Sequence, residues 1–340
     1  MNLRTIPVAD RVASSPLDGG SDFLQAIVHG LSQPQKSIPS RFFYDIHGSR
    51  LFEQITALDE YYPTRAELEI LNGQGGAIAK AADGCRALVE FGAGSSRKVR
   101  RLLAAMPQID VYAPIDISAE FLSAEAQTLA ADFPAVTIMP VSADFMAEFS
   151  LPADLDGRRR LVFFPGSTIG NFDPRDALYL LERMGEVAGP DGHVLVGVDL
   201  KKDEATLLRA YDDAQGVTAA FNLNLLVRAN RELGANFDPA AFRHEARYNR
   251  DQGRIEMHLV ASRRQTATIR GYRFEFAPGE SIHTENSYKY TVDEFRLLAR
   301  ASGLQPIEIW LDAQRRFAVH LLRPDVGEAL PERQADGLER

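Results

Sequence analysis

Five strand-like apolar runs, each followed by a helical or turn-rich stretch, constrain the fold of this chain more than any other feature. Strands of a parallel sheet are buried on both faces, so they appear in sequence as continuous apolar runs separated by crossover helices. The first run is ALVEF at residues 87–91. The helix predicted after it presents four apolar residues at the spacing of one helical face, Val99, Leu102, Leu103 and Met106. The later runs are VYAPIDI at 111–117, VTIMPV at 136–141, RLVFFPG at 160–166 and HVLVGVDL at 193–200.

The C-terminal third of the chain completes the predicted sheet. Thr291 and Glu294 have the spacing of a capping box, which predicts a helix that begins there and ends near Gly303. Two more strand-like runs, IEIWL and FAVHLL, flank the short polar turn DAQRR and predict a hairpin at a sheet edge. We therefore predict an α/β fold built on a Rossmann-like, doubly wound sheet with one antiparallel strand.

The region from 200 to 287 interrupts the strand–helix alternation and is rich in Asn, Arg and aromatic residues. We predict two lobes: a Rossmann-like domain of residues 66–199 and 288–325, and a smaller lobe of residues 15–65 and 200–287. The charged segment 326–340 is expected to be a flexible tail. A second lobe above the carboxyl ends of the strands would create a cleft where open α/β sheets bind ligands.

Composition narrows the range of partners. The net charge is −9, and the sequence has no cluster of Lys and Arg that could form a basic surface. Both observations argue against nucleic acid as a binding partner and favour a small-molecule substrate. The single cysteine, Cys85, precludes an internal disulfide and fits a cytoplasmic protein with a buried structural thiol. No signal peptide or membrane span is expected, since no apolar block is long enough. Without HExxH or CxxC motifs we predict no metal site, and a monomer is the default.

Gly92-Ala93-Gly94 lies where the first predicted strand turns into the first helix. Glycines let a ligand approach the backbone closely, and a helix N-terminus favours an anionic group. A dinucleotide fingerprint needs a third glycine at the position of Arg97, so the loop disfavours NAD. It suits S-adenosylmethionine, whose carboxylate can bind the loop amides and Lys98.

Acidic residues follow the next two predicted strands. Asp116, at the end of the second strand, can accept hydrogen bonds from both ribose hydroxyls. Asp144 and Phe145, after the third strand, can bind the adenine amino group and pack against its ring. The alternative is that each aspartate only caps a strand end, but three such elements at successive strand ends favour a cofactor site.

Six segments of the chain carry a resemblance to a known family, and they follow one another in that family's order. They are RFFYDIHGSRLFEQITALDEYYPTRAE, VEFGAGSSRK, FFPGSTIGNF, RAYDDAQGVTAAFN, RIEMHL and HTENSYKY. Together they resemble the histidine Nα-methyltransferases of ergothioneine biosynthesis. The resemblance implies a class I methyltransferase fold with a smaller substrate-binding lobe, and three S-adenosylmethionine-dependent methylations that convert histidine to its betaine, hercynine.

The resemblance also assigns roles to individual residues around the substrate. Asn171 and Tyr211 would bind the carboxylate and amino end of histidine, while Tyr44 and the backbone at Gly166 would face the amine. The imidazole would lie against the remaining four residues: Glu285 and Ser287 as hydrogen-bond partners, Tyr61 nearby, and Met257 packed on the ring. Of these, Tyr44 and Asn171 are predicted to act in catalysis. Tyr44 is a candidate general base, and loss of the amine proton to solvent is an equal alternative.

One departure leaves the substrate open. The family usually carries an aliphatic residue between the glutamate and the serine, and this chain has Asn286. An Asn286 that points into the cavity would change the imidazole site, whereas one that points away would change little. Asn286 therefore keeps open an α-amino N-methyltransferase of another amino acid, such as a tryptophan derivative. A second alternative, of a different class, is a catalytically silent cofactor-binding module that works through a partner.

Overall fold

The structure, a computed structural model, describes residues 19–325, so residues 15–18 of the predicted smaller lobe and the predicted tail, 326–340, lie outside the described residues. The helices are α1 (Gly19–Leu31), α2 (Ile46–Ala57), α3 (Tyr62–Ala81), α4 (Arg97–Ala105), α5 (Ala119–Asp132), α6 (Pro174–Ala188), α7 (Glu204–Tyr211), α8 (Val217–Leu233) and α9 (Val292–Ala301). The strands are β1 (Lys36–Ser37), β2 (Ala87–Phe91), β3 (Val111–Asp116), β4 (Thr137–Ile138), β5 (Val141–Ser142), β6 (Arg160–Phe164), β7 (His193–Asp199), β8 (Phe242–Asn249), β9 (Arg254–Ala261), β10 (Gln265–Ile269), β11 (Tyr272–Phe276), β12 (Ser281–Tyr288), β13 (Leu304–Leu311) and β14 (Phe317–Pro324).

The large sheet confirms the predicted α/β architecture. Its strand order is β13-β14-β7-β6-β2-β3-β4, with β5 also paired to β3. The strands from β2 to β7 pair in parallel, and β14 and β13 continue the sheet as an antiparallel hairpin at one edge. The predicted capping box is present, because Thr291 and Glu294 exchange both hydrogen bonds at the start of α9.

The third predicted strand is divided in the structure. The run VTIMPV forms two pairs of strand residues, β4 and β5, with Met139 and Pro140 between them. Proline has no N–H to donate to the ladder and interrupts regular pairing. The predicted parallel direction is confirmed, since both pieces pair in parallel with β3. The prediction of one continuous strand is wrong.

Helices cover both faces of the large sheet. On one face, side chains of β2 such as Val89 and Phe91 pack with residues of α6 and α9. On the other face, Leu88 packs with residues of α3 and α4, including Val99, Leu102 and Leu103. Continuous apolar strands are therefore buried on both sides, which is the reason they could be recognised from sequence.

A second sheet, in the order β1-β12-β9-β8, lies outside this sandwich. Its core includes residues of α1, α2, α7 and α8, and the β10–β11 hairpin packs against the same core. None of the strands in this region was assigned from the sequence. Helix α3 connects the two parts: Tyr62 packs in the core of the second sheet, whereas Ile70 and Ile78 pack under the large sheet. The predicted lobe boundary between residues 65 and 66 thus falls inside a helix.

Cys85 is buried as expected, and burial raises the pKa of its thiol to about 11, so it is a poor nucleophile at neutral pH. Between residues 19 and 325, no helix combines the length and the apolar character that crossing a membrane requires.

Candidate functional site

A cavity opens where the second sheet meets the carboxyl ends of β6 and β7. All eight residues predicted to contact the substrate line it: Tyr44, Tyr61, Gly166, Asn171, Tyr211, Met257, Glu285 and Ser287. The remaining lining residues are Phe52, Ile55, Ser167, Thr168, Ala210, Thr218 and Phe221. Five segments that are far apart in sequence therefore converge on one cavity.

Regular secondary structure sets the direction of the side chains. Successive residues of a strand point to opposite faces, so Glu285 and Ser287 of β12 share the face that lines the cavity. Met257 of β9 lies directly opposite Glu285 in the antiparallel ladder. Gly166 and Asn171 follow β6, and Ser167 between them has a left-handed backbone with φ of 59°, a strained conformation that clusters at functional sites.

Polar groups inside the cavity are hydrogen-bonded to one another. Asn171 Nδ2 donates to Glu285 Oε1 at 2.9 Å, and the Tyr211 and Ser287 hydroxyl oxygens lie 2.7 Å apart. The first contact joins the group predicted for the carboxylate end of the substrate to the group predicted for its imidazole. A substrate that uses both groups must therefore replace this hydrogen bond with its own.

Enclosure in the cavity changes the acid–base properties of its residues. Burial raises the pKa of Glu285 to about 7, an increase that the Lys289 charge and the Asn171 hydrogen bond limit. Burial and the nearby Glu285 carboxylate also raise the pKa of the Tyr44 phenol well above its ordinary value. A phenol of this kind stays protonated at neutral pH, which favours loss of the amine proton to solvent over proton transfer to Tyr44.

Asn286 points away from the cavity. It lies on the opposite face of β12 from Glu285 and Ser287, and its Nδ2 donates to Asp173 Oδ1 at 3.2 Å. Its partner across the ladder is Glu256 of β9, which is also outside the cavity. This departure from the family pattern therefore leaves the residues around the predicted imidazole site unchanged.

The residues predicted for the cofactor lie at the carboxyl edge of the large sheet. Gly92 follows β2 with φ of 66°, a conformation that favours glycine, and an added Cβ there would meet the Phe145 ring at 3.6 Å. Phe145 stacks on Phe91 with ring centroids 5.6 Å apart and stays half-exposed toward this edge. Asp116 ends β3, and Asp144 follows β5 at the surface. A backbone cradle, an aromatic face and two carboxylates fit a nucleoside-containing ligand.

Two chains of contacts connect this edge to the cavity. Lys98 Nζ pairs with the fully buried Glu67 at 2.7 Å, and Glu67 Oε2 also accepts from Gly166 N at 2.9 Å. On the other side, Asp116 Oδ1 accepts from Ser118 N at 2.8 Å, while Ser118 Oγ donates to the Tyr44 carbonyl at 3.2 Å. The residues predicted for the cofactor and those predicted for the substrate are thus neighbouring parts of one candidate site.

Several buried residues next to this site were not predicted from the sequence. Glu67 is one, and another is a buried polar cluster behind the cavity, made of Tyr62, Asp199, Lys202 and Lys289. All fifteen residues that line the cavity lie within the six segments that carry the family resemblance. Glu67, Tyr62 and Lys289 also lie within those segments, although nothing local marks them as site residues, and Asp199 and Lys202 lie outside them.

The outer face of the second sheet carries a different polar group. Glu256, His258 and His283 offer ligand atoms within 4.8 Å of one another, a geometry that a metal ion can use. Arg254 and Asn249 already donate to Glu256, and Arg254 adds a positive charge beside it. These partners satisfy the carboxylate without a metal, so we do not assign a metal to this cluster.

Comparison of the sequence with known proteins identifies the family of this chain. A family model described as histidine-specific methyltransferase, SAM-dependent, matches residues 23–324. The histidine N-alpha-methyltransferase of Mycobacterium tuberculosis is 43% identical over 302 residues, covering 87% of this chain and 92% of the relative. Its namesake from Mycolicibacterium smegmatis is 40% identical over 323 residues, covering 93% and 99%. Ergothioneine biosynthesis protein 1 of Neurospora crassa is 30% identical over 300 residues, covering 84% of this chain and 33% of the fungal protein.

Proposed function

The chain belongs to the family of S-adenosylmethionine-dependent, histidine-specific methyltransferases, and from that premise we propose that it methylates the α-amine of L-histidine three times. The product would be hercynine, and we propose that it serves ergothioneine biosynthesis, as the name of the fungal relative suggests. The observation that carries the proposal is the convergence of Asn171, Tyr211, Glu285 and Ser287 on a cavity that shares Gly166 with the cofactor edge.

The proposed substrate position follows from the chemistry of the cavity. The Asn171 amide and the Tyr211 hydroxyl can donate to the α-carboxylate, and the amine would then face Tyr44 and the backbone at Gly166. At the other end, Glu285 would accept an imidazole N–H, Ser287 would bond the second ring nitrogen, and the ring would lie near Tyr61 and against Met257. A site built on such hydrogen bonds rejects amino acids that lack ring nitrogens, because its own polar groups would stay unpaired.

The cofactor side of the proposal uses the residues at the carboxyl edge of the sheet. We propose that Gly92 and Lys98 hold the amino-acid part of S-adenosylmethionine, Asp116 the ribose, and Asp144 with Phe145 the adenine. The cofactor supplies a methyl group on a positively charged sulfur. The contribution of the protein would be alignment: the cavity would hold the amine neutral and oriented for transfer, and no covalent enzyme adduct is needed.

The proton balance of the reaction fits the cavity. An amine that is to be methylated must first lose a proton, and the Tyr44 phenol is too weak an acid at this position to be present as phenolate at neutral pH. We propose that solvent takes the proton, while the Tyr44 and Asn171 side chains orient the neutral amine by hydrogen bonds. Tyr44 then acts in catalysis by positioning rather than as a base.

We also propose the larger organisation that the sequence predicted. The Rossmann-like part, residues 66–199 and 288–325, would bind the cofactor, and residues 15–65 with 200–287 would form the substrate-binding lobe. A monomer is sufficient, because one chain supplies every residue assigned to the site. A cytoplasmic location is supported by the single thiol, Cys85, which is buried and unpaired.

Mass spectrometry of the reaction with histidine tests this proposal. Purified protein with excess S-adenosylmethionine should convert L-histidine to a product that carries three added methyl groups, and NMR should place all three on the α-nitrogen. A product methylated on the imidazole would contradict the proposed orientation. A lack of any product with histidine would contradict the substrate itself.

A further inference from the structure

Lys289 is a buried cation directly behind the cavity. Its side chain has no exposed surface, and its Nζ lies 2.8 Å from Tyr211 Oη, 2.8 Å from Ser287 Oγ and 2.9 Å from Asp199 Oδ2. An ammonium group has three N–H donors and no acceptor, so these contacts use all three. Two of the three acceptors are hydroxyls that line the substrate cavity.

Asp199 fixes the position of this ammonium. Its carboxylate is fully buried and pairs with Lys202 at 2.6 Å as well as with Lys289, and it accepts from Tyr62 Oη. Burial pushes the pKa of Asp199 upward, but the two ammonium groups outweigh burial and hold the pKa below its ordinary value. These groups comprise one carboxylate and two ammonium groups, so their net charge is positive. The ammonium on the side of the cavity is that of Lys289.

The geometry also limits how the cavity hydroxyls can be used. Lys289 can only donate, so Tyr211 Oη and Ser287 Oγ each accept from it. The two oxygens are 2.7 Å apart, and one hydroxyl must donate to the other. A single O–H of the pair therefore remains to donate into the cavity.

We propose that Lys289 is a positioning residue for the amino-acid substrate, which orients the Tyr211 and Ser287 hydroxyls as one donor unit and provides positive charge behind the bound carboxylate and the ionised Glu285. This inference rests on the proposed function, because it concerns the same cavity and the same substrate. It adds a residue that touches no substrate atom but controls two residues that do.

The surroundings of Glu285 agree with this role. The groups that face it are the Tyr44, Tyr61 and Tyr211 phenols, the Asn171 amide and the Lys289 charge. Behind Lys289 lie the Asp199 carboxylate and the Lys202 ammonium. The three phenols are neutral at pH 7, and the Lys289 charge lowers the pKa of Glu285 while burial raises it. Removal of the Lys289 charge should therefore move the ionisation of Glu285 to higher pH.

Steady-state kinetics of Lys289→Met, which keeps the length of the side chain and removes its charge, test the inference. The KM for histidine should rise about tenfold or more, the usual effect of losing a hydrogen bond from a charged donor, while the KM for S-adenosylmethionine stays within about twofold. The pH at which histidine KM begins to rise on acidification should also move upward. A purely structural role would not produce that shift.

Lys202→Met is the matched control. Lys202 pairs with the same Asp199 carboxylate, and its ammonium donates to Tyr62 and Asp199 rather than to the cavity hydroxyls. Its histidine KM should stay within about threefold of the wild type. An equal rise in KM and an equal pH shift in both variants would overturn the assignment to Lys289.

A double variant and a milder substitution guard against misfolding. In the background of Ser287→Ala, Lys289→Met should raise histidine KM by a smaller factor than in the wild type, because part of its effect depends on the Ser287 hydroxyl. Lys289→Gln is neutral but can still donate a hydrogen bond. Its histidine KM should lie between those of the wild type and Lys289→Met, while its pH profile stays shifted. If Lys289→Met does not fold, Lys289→Gln serves as the test variant. An unshifted pH profile in Lys289→Gln would overturn the inference. Wild-type protein that does not methylate histidine would overturn the proposed function too, whereas an active wild type with unchanged Lys289 variants would overturn this inference alone.

Discussion

Two carboxylates on opposite faces of the second sheet have contrasting environments. Glu256 of β9 faces outward, where hydrogen bonds from Asn249, Arg254 and His258 outweigh partial burial and lower its pKa to about 2. Glu285 of β12 faces the cavity, where burial dominates and raises its pKa to about 7. In the β9–β12 ladder, Met257 lies opposite Glu285 and Asn286 lies opposite Glu256. The two carboxylates therefore belong to adjacent residue pairs of the same ladder.

The difference separates a structural ion pair, at Glu256, from the proposed binding group, Glu285. The outer carboxylate already has its hydrogen-bond partners within the protein, so a ligand would add no hydrogen bond that this group lacks. The inner carboxylate accepts one hydrogen bond from Asn171 and retains the capacity to accept another. A ligand that donates an N–H to Glu285 completes a site that the protein leaves incomplete.

Replacement of the two glutamates should give the largest contrast. We expect Glu285→Ala to reduce kcat/KM for histidine about 100-fold, because it removes a charged acceptor and leaves an imidazole N–H unpaired. Glu256→Ala, the matched control, should change kcat/KM less than about threefold and lower the melting temperature. Kinetics and thermal unfolding of both variants check this, and equal catalytic losses would remove the distinction between the faces.

The pH dependence should sharpen the same contrast. The raised pKa of about 7 means that the ionised fraction of Glu285 grows from about a tenth at pH 6 to about nine tenths at pH 8. The ratio of kcat/KM between wild type and Glu285→Gln should therefore rise about tenfold over this range, since the titration of histidine itself cancels in the ratio. Glu256, ionised throughout, should contribute no such step, and a constant ratio from pH 6 to 8 would be evidence against an ionised Glu285 as the imidazole acceptor.

Two serines of β12 provide a smaller test. Ser287 lines the cavity, whereas Ser281 lies on the outer side with its hydroxyl 3.2 Å from His258 Nδ1. Ser287→Ala should raise histidine KM about fivefold, which corresponds to one neutral hydrogen bond, and Ser281→Ala should leave it unchanged. Initial rates at varied histidine concentration distinguish the two, and a comparable rise in both would show that KM responds to the strand as a whole.

Asn286 should have the smallest effect of all. Its side chain faces Asp173 and the outer surface, so Asn286→Leu, which restores the aliphatic type usual at this position, should leave histidine KM within about twofold. The measurement is the same initial-rate assay. A large gain in histidine affinity, or a change of preferred amino acid, would show that this outward residue controls the cavity after all.

The large sheet could be predicted because each of its main strands has a recognisable pattern in the local sequence. Strands β2, β3, β6 and β7 are buried on both faces and appear in sequence as unbroken apolar runs. Only the run between β3 and β6 is divided, at Met139 and Pro140. The second sheet lacks that signal. Strand β8, for example, is buried fully only at Phe242 and is partly exposed along most of its length, so its pattern resembles a polar loop.

The same reasoning explains which site residues were found. Glu285 and Ser287 came from the family resemblance, and without an assigned strand the outward direction of Asn286 could not be deduced. Lys289 was invisible for a different reason. A lysine is ordinarily a surface residue, and its burial makes sense only when Asp199, ninety positions earlier, lies 2.9 Å away. Such pairings depend on tertiary structure and leave no local pattern.

The central claim, that this cavity selects histidine through Glu285, is tested most directly by a panel of substrates. Wild type and Glu285→Ala would each be incubated with S-adenosylmethionine and every one of the twenty amino acids separately, with products followed by mass spectrometry. We predict three added methyl groups on histidine alone for the wild type, and loss of that product in the variant. Methylation of another amino acid by the wild type, or undiminished methylation of histidine by Glu285→Ala, would contradict the account.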